Sequence, residues 1–209
     1  MHRGIKVLAL TLTASSILFT GCQSDQSPEE LETKQQAEQE KYDKKMEKAE
    51  AELKELKTAA EATRKRAETE VANIQKYYDS CVGYVVFPKI AKGGLVVGGA
   101  HGNGIVYERR AVMKDKMIGT AEVSQGSIGF QIGGQTFSEV IFFDDDYTFE
   151  NFKKGNVEFS GTASGVAGGA GATEAAKYEN GVAIFVFGQK GLMGEASIGG
   201  QGFDYMPFE

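Results

Sequence analysis

The chain has few of the residues that build metal sites, disulfide frameworks and catalytic centres. Its 209 residues include two cysteines, two histidines, three prolines and no tryptophan. So few thiols and imidazoles cannot supply the ligands of a usual zinc site. No recognisable set of nucleophile, base and orienting group is present. We therefore expect no metal, no cofactor and no enzymatic activity, and a pocket holding His101 beside a carboxylate would argue for an enzyme.

The chain also lacks an excess of positive charge, since its 23 Lys and Arg residues are outnumbered by 29 Asp and Glu residues and the formal net charge is −6 at pH 7. Nucleic-acid binding needs clustered cations that neutralise phosphates, so we expect no nucleic-acid partner. The glycine-rich segments at residues 98–104 and 165–173 lack the Gly-Lys-Ser/Thr ending of a nucleotide-binding loop. The aspartates at residues 144–146 lack the ligand spacing of a calcium loop. We interpret all three segments as structural.

The N-terminal segment has the pattern of an export signal. Arg3 and Lys6 precede an apolar run over residues 7–18, which is shorter than the span of about 20 residues that crosses a membrane. The run ends in residues 19–22, Phe-Thr-Gly-Cys. This ending resembles the lipobox of bacterial lipoproteins, although a phenylalanine stands where leucine is usual. In those proteins the cysteine is acylated, for example with palmitate, and becomes the mature N terminus.

The lipobox resemblance implies a signal peptide at residues 1–21, acylation of Cys22 and a tether over residues 22–28. Gln23 replaces the aspartate that favours inner-membrane retention in enterobacteria. The implied location is the bacterial cell envelope, lipid-anchored on the periplasmic face of the outer membrane. Cys81 would then be left alone, without an intramolecular disulfide. We predict that it is a buried or half-buried structural thiol.

Residues 29–66 are predicted to form a charged helix or weak coiled coil. Residues 29–78 contain no glycine or proline and are rich in Glu, Lys, Ala, Gln and Leu, which favour helices. Apolar residues recur with alternating spacings of three and four, as in a heptad repeat with one slip. These residues are Met46, Ala49, Leu53, Leu56, Ala60, Ala67, Val71, Ile74 and Tyr78. The pattern indicates a stalk or oligomerisation element, or alternatively an exposed helix without a partner.

The rest of the chain is rich in glycine and short apolar runs. Runs of Val, Ile, Phe and Tyr bounded by Gly, Asn and Asp are typical of strands. They fall at residues 82–87, 94–97, 104–107, 139–143, 157–159 and 182–187. The sequence predicts an α+β fold, with a glycine-rich curled antiparallel β-sheet or partial barrel, short covering helices and a long preceding helix.

Local signals predict one turn and two short helices in this half. Residues 100–103, Ala-His-Gly-Asn, are predicted to form a hairpin turn. A helix is predicted over residues 147–152, after the three aspartates. A second is predicted from near Thr173 to Asn180-Gly181, a pattern that stops helices.

The cations of the chain form two groups that are candidate lipid-binding residues. The first group lies near the end of the long helix and the second flanks the first strands. They comprise Arg64, Lys65, Arg66 and Lys76, then Lys89, Lys92, Arg109 and Arg110, with Lys114 and Lys116 nearby. If the groups meet, they form a basic face that an anionic bilayer would attract, at about 1 kcal/mol per cation. Interspersed acidic residues leave a mixed-charge solvated surface as the alternative.

Three ordered glycine-containing elements resemble the SYLF domain family, whose yeast members regulate actin. They are residues 92–106, the Gly-x-Gln-x-Gly element at residues 129–135 followed by the apolar residues 140–143, and the Lys-Gly-Leu element at residues 190–197. The likeness covers roughly residues 70–205, and we assign residues 67–209 to a SYLF-like domain. The family's tryptophan-containing segment is replaced here by residues 120–124, Thr-Ala-Glu-Val-Ser.

The resemblance implies binding to anionic lipids, aided by an amphipathic segment near residues 67–81. Actin is not expected as a partner of an exported bacterial protein, and phosphatidylglycerol or cardiolipin would replace phosphoinositides. Our first hypothesis is a membrane-anchored envelope lipoprotein whose SYLF-like domain binds anionic phospholipid without catalysis. The alternative is a structural or interaction protein that oligomerises through its helix and binds an envelope protein.

Overall fold

The computed structural model describes most of the chain after the predicted export signal. It covers residues 28–94, 97–128, 135–155, 159–162, 165–167, 178–187 and 197–208. The predicted signal peptide and Cys22 lie outside the described residues. The helices are α1 Pro28–Glu70, α2 Gln75–Ser80 and α3 Asp146–Lys153. The strands are β1 Gly83–Gly94, β2 Val97–Glu108, β3 Lys116–Ile128, β4 Gln135–Phe143, β5 Phe159–Thr162, β6 Gly165–Ala167, β7 Val182–Phe187 and β8 Ser197–Pro207.

Helix α1 forms where glycine and proline are absent and charge pairs recur at helical spacing. Arg66 Nε lies 2.8 Å from Glu70 Oε1, and Lys48 Nζ lies 3.6 Å from Glu52 Oε1. The helix ends just before Asn73, whose φ of 62° is left-handed. The chain divides into compact units Met1–Met46 and Glu47–Glu209, and side chains 33–46 of the first are exposed. No helix within the described ranges is both long and apolar enough to span a bilayer.

The strands form one sheet in the order β5-β8-β3-β2-β1-β4-β7-β6. Neighbouring strands are antiparallel except for β6 and β7, which run parallel. The short strands β5 and β6 lie at the two edges and do not pair with each other, so the described sheet is not closed. The prediction of an α+β fold, with a long helix before an antiparallel sheet, is confirmed.

A hydrogen bond across one face shows how strongly the sheet curls. Gln201 Nε2 on β8 donates to Glu139 Oε2 on β4 at 3.3 Å. These strands are four positions apart in the sheet, which is about 19 Å in a flat sheet. The rings of Phe87 on β1 and Phe203 on β8 also lie 5.9 Å apart. This face is therefore the inside of a partial barrel.

The inner face and the outer face of the sheet both carry a buried core. The inner face is filled by side chains of the strands and of α3. Its core includes Val85, Phe87, Ile141, Phe143, Phe149, Phe152 and Phe203. The outer face is covered by the end of α1 and by α2. Its core includes Ala60, Ala67, Ile74, Tyr77, Tyr78, Tyr84, Val86, Ile105, Phe142 and Phe185.

The heptad-like stripe of α1 is largely used inside the molecule. Ala60 and Ala67 are fully buried on the outer face, and Leu53 and Leu56 pack against it half-buried. Met46, by contrast, is 43% exposed. From Leu53 onward, the partner of the apolar stripe is the chain's own sheet. Oligomerisation through the remaining, exposed part of the helix stays a prediction.

The predicted hairpin turn at residues 100–103 is wrong, because these residues lie inside β2. Gly94 of β1 pairs with Gly98 of β2. The strand predicted at residues 94–97 therefore falls where β1 ends and β2 begins. Its residues 95 and 96 lie outside the described residues. The glycines of β2 serve close packing instead. A Cβ on Gly104 would lie 2.7 Å from Phe87 Cδ1 and 2.8 Å from the Val86 carbonyl oxygen. Strands β3, β6 and β8 were not predicted.

The structure confirms one of the two short helices. Helix α3 covers the predicted residues 147–152, and Asp145 caps it by accepting the Thr148 backbone N–H at 2.8 Å. The predicted helix end at Asn180-Gly181 is wrong. Glu179 and Val182 exchange backbone hydrogen bonds around this pair, whose φ values of 53° and 80° form a tight turn into β7. Residues 173–177 of that predicted helix lie outside the described residues.

Candidate functional site

Helix α1, strand β1 and the connection between β2 and β3 meet at one end of the sheet. In the register, Gly83 of β1 pairs with Glu108 of β2, which pairs with Lys116 of β3. We call residues 109–115, which join these strands, the β2–β3 loop. This end carries the densest grouping of charged and aromatic side chains among the predicted site residues, and it is the candidate site.

Asp115 ties the β2–β3 loop to helix α1 and to the sheet. Tyr84 Oη donates to Asp115 Oδ2 at 2.8 Å, and an Arg64 guanidinium nitrogen lies 3.7 Å from the same oxygen. The Arg110 backbone N–H donates to Asp115 Oδ1 at 3.2 Å. Lys114 Nζ lies 3.0 Å from Glu61 Oε1 on α1. These contacts hold the base of the loop.

Arg64 lies over a group of buried tyrosines on the outer face. Its guanidinium carbon lies 5.0 Å from the ring centroid of Tyr78 and 5.7 Å from that of Tyr84. Tyr84 stacks on Tyr107 with centroids 4.7 Å apart. Burial raises the pKa of all three tyrosines, so their hydroxyls stay protonated. Within the described ranges, the hydroxyls of Tyr78 and Tyr107 have no hydrogen-bond partner.

The structure brings only some of the predicted cations to this site. Asp115 lies near the Arg64 guanidinium and accepts the Arg110 backbone N–H, while the Arg109 backbone N–H donates to the Val82 carbonyl. Lys65 is exposed on α1. Lys89 and Lys92 lie on β1, six and nine residues beyond Gly83. At about 3.3 Å per residue they are roughly 20 and 30 Å from the loop end of the strand. They belong to the opposite end of the sheet.

Two other predicted cations make contacts of their own. Arg66 pairs with Glu70, and its guanidinium carbon lies 5.1 Å from the Phe187 ring centroid. Lys76 Nζ lies 5.0 Å from the Tyr77 ring centroid in α2. The predicted basic face is thus divided between separate parts of the surface, and the lipid-binding role of all eight cations stays a prediction.

The β2–β3 loop also carries an apolar tip that the sequence reasoning missed. Val112 is 95% exposed and Met113 is 69% exposed. Both stand between Arg109-Arg110 and Lys114 in the chain. An apolar pair inside a run of cations is a visible sequence signal, but only the structure shows that neither side chain packs against the core.

A second polar feature, also missed, lies on the inner face. Glu139 is fully buried, and burial raises the pKa of its carboxyl from 4.5 to about 7. Its Oε2 accepts from Gln201, while its Oε1 and the Gln201 Oε1 have no partner within the described part of the chain. Gln125, also buried, pairs with Gln201 in the register of β3 and β8. The sequence indicated only that residues 139–143 form an apolar strand.

Among the described residues, the remaining candidates do not come together as a group of catalytic or metal-ligating side chains. His101 Nδ1 lies 3.4 Å from Glu122 Oε1, but their side chains are 61% and 41% exposed on neighbouring strands. No group of three metal-ligating side chains is found where the structure is described. Cys81 is a buried free thiol, as predicted, and burial raises its pKa to about 12.

Residues 124–204 match the family model described as "Ysc84: Las17-binding protein actin regulator". The chain therefore carries a domain of the SYLF (Ysc84) family, as the glycine-containing elements indicated. It is also 31% identical over 147 residues to "Beta cell expansion factor A" of Aeromonas veronii. That alignment covers 69% of this chain and 54% of the relative, so the chain spans about half the length of the relative it matches.

Proposed function

We propose that this protein binds anionic phospholipid through its SYLF domain and performs no catalysis. Membership of the SYLF family supports a lipid-binding role. The observation that carries the proposal is the charge of residues 109–116. This segment holds Arg109, Arg110, Lys114 and Lys116 against Asp115 alone, a net charge of +3 on a chain of net charge −6.

The structure supports this use because two acidic side chains at the base of the segment, Asp115 and Glu61, have partners of their own, although the exposed Glu108 precedes it. Asp115 is bound by Tyr84 and lies near Arg64, and Glu61 pairs with Lys114. Arg110 and Lys116 are exposed, while Arg109 is half-buried and its backbone N–H donates to the Val82 carbonyl at 3.1 Å. Each cation near an anionic surface contributes about 1 kcal/mol, so the exposed Arg110 and Lys116 both favour binding.

The proposal extends to location and anchor. An acylated Cys22 would hold the protein in the bacterial envelope, on the periplasmic face of the outer membrane, because each buried methylene adds about 0.8 kcal/mol. Phosphatidylglycerol and cardiolipin are then the lipids within reach. Mass spectrometry of the protein purified from membranes tests the anchor, and an unmodified Cys22 would exclude it.

Vesicle co-sedimentation of residues 23–209 tests lipid binding without the anchor. This segment retains the whole described core, which runs from Ala60 to Phe203. We expect binding to phosphatidylglycerol-rich vesicles, loss of binding at moderate salt, and no binding to neutral vesicles. Arg109→Glu with Arg110→Glu should abolish it. Lys44→Glu with Lys45→Glu on exposed α1 changes the net charge equally and should reduce binding far less.

Oligomerisation through the helix is a second candidate role. The side chains of residues 33–52 are exposed, among them Tyr42 at 59% and Met46 at 43%. A second copy or an envelope protein could cover them. Sedimentation velocity of residues 23–209 tests the first case, and a monomer at all concentrations would exclude self-association.

A further inference from the structure

We infer that Val112 and Met113, at the tip of the β2–β3 loop, insert into the headgroup–acyl boundary of an anionic bilayer. This inference rests on the proposed function and assigns the part of the protein that enters the lipid. Isolated exposed apolar residues are common on protein surfaces and need no explanation. Here two adjacent ones, exposed by 95% and 69%, stand at the end of one loop.

The surroundings of the tip favour a bilayer over other occupants. Arg109, Arg110, Lys114 and Lys116 flank the apolar pair on both sides. Apolar side chains flanked by cations match the layering of an anionic membrane, in which phosphates lie just outside the hydrocarbon. The charge and the apolar area are therefore complementary to the same surface at the same depth.

The base of the loop is held firmly enough to present the tip. Asp115 accepts hydrogen bonds from Tyr84 Oη at 2.8 Å and from the Arg110 backbone N–H at 3.2 Å. Lys114 reaches Glu61 of α1 at 3.0 Å. A loop whose base is already ordered loses less conformational entropy when its tip is buried.

A second exposed apolar residue near this end of the sheet is a natural control. Tyr147 of α3 is 78% exposed and follows Asp144, Asp145 and Asp146. Three carboxylates beside it would be repelled by anionic headgroups. If exposure alone determined insertion, Tyr147 would insert as readily as Val112 and Met113. If the charge of the flanking residues also determines insertion, Val112 and Met113 insert and Tyr147 does not.

The first test compares vesicle affinity of Val112→Ser with Met113→Ser against Tyr147→Ser, in residues 23–209 with phosphatidylglycerol-rich vesicles. We expect the loop variant to lose about tenfold or more in affinity, since two partly buried apolar side chains are removed. The Tyr147→Ser variant should bind like the parent. Both sites are exposed, so unfolding curves of all three proteins should coincide.

The second test reports depth directly. Met113→Cys and, as control, Tyr147→Cys are each labelled with an environment-sensitive fluorophore. Cys81 stays unlabelled because it is 2% exposed and burial raises its pKa to about 12. We expect spin-labelled lipids to quench the probe at position 113 and not the probe at position 147.

The outcomes separate the two proposals. Suppose that the parent binds, the loop variant binds with the same affinity and the probe at position 113 is not quenched. This result overturns insertion of the tip but still supports phospholipid binding. Absence of parental binding overturns both. Loss of affinity in the loop variant together with quenching at position 113 supports both.

Discussion

The inner and outer faces of the curled sheet bury polar groups in different ways. On the outer face, Arg64, Asp115 and Tyr84 contact one another at the margin of the core, where Arg64 keeps 27% of its side chain exposed. On the inner face, Glu139 is fully buried with one hydrogen bond from Gln201. Asp115 has a cationic neighbour in Arg64, whereas the buried Glu139 accepts a hydrogen bond from the uncharged Gln201, so its ionisation costs free energy.

The difference follows from what covers each face. The outer face is covered by a helix that brings its own long, charged side chains, so ion pairs form where the helix meets the loop. The inner face is covered by the curl of the sheet itself and by α3. Its side chains face one another across the curl of the sheet, as Glu139 and Gln201 do.

Replacing a buried phenylalanine with alanine should have the largest effect on stability. It should also show which helix packs on each face of the sheet. Phe142 and Phe143 are adjacent, fully buried and on opposite faces. Each change to alanine should lower the free energy of unfolding by about 3–5 kcal/mol, measured by urea denaturation. Phe142 contacts the rings of Tyr77 and Tyr78, so Phe142→Ala should expose α2 to proteolysis.

Phe143→Ala is the matching variant on the inner face of the sheet. Phe143 contacts the rings of Phe149 and Phe152, so Phe143→Ala should expose α3 instead. The same cleavage pattern in both variants would show that the two faces unfold as one unit and would contradict separate covering of the faces.

The next largest effect should be the pH dependence contributed by Glu139. Its folded pKa of about 7 lies above the ordinary 4.5, so the folded state holds the proton more tightly. The free energy of unfolding should therefore fall as pH rises from about 4.5 to about 7, by about 3 kcal/mol in all. Glu139→Gln should remove this fall and be more stable than the parent above pH 7.

An exposed carboxylate is the matched control for that measurement. Glu122, with a side chain 41% exposed on β3, supplies the Glu122→Gln variant, which removes the same carboxylate at the surface. The measurement is a series of urea denaturation curves between pH 4 and pH 8. Identical profiles for the parent and Glu139→Gln would mean that the inner carboxyl titrates normally.

A smaller effect is expected from the outer-face network. Arg64→Ala removes the pairing with Asp115 and the contacts over Tyr78 and Tyr84, and should cost about 2 kcal/mol of stability. Lys48→Ala, which removes an exposed pair with Glu52, should cost less than about 0.5 kcal/mol. Equal losses in urea denaturation would place Arg64 among ordinary surface charges.

Local composition was enough to predict several features of this protein. The absence of glycine and proline predicted the long helix, the aspartates predicted the cap of α3, and apolar runs predicted the cores of β1, β4 and β7. The ordered glycine elements indicated the SYLF family, which the family match confirms. These features depend on residues close together in the chain.

Tertiary structure alone decided the partners of those elements. The apolar stripe of α1 packs on the chain's own sheet from Leu53 onward, because heptad spacing specifies an apolar stripe but not what covers it. His101 and Asn103 lie in a strand rather than a turn, since the glycines beside them make room for Phe87 and Ile90. Glu139 meets Gln201, 62 residues away, only because the sheet curls. Contacts between distant residues depend on the strand order and register of the sheet, which no local pattern in the chain specifies, although the glycine content predicted that the sheet curls.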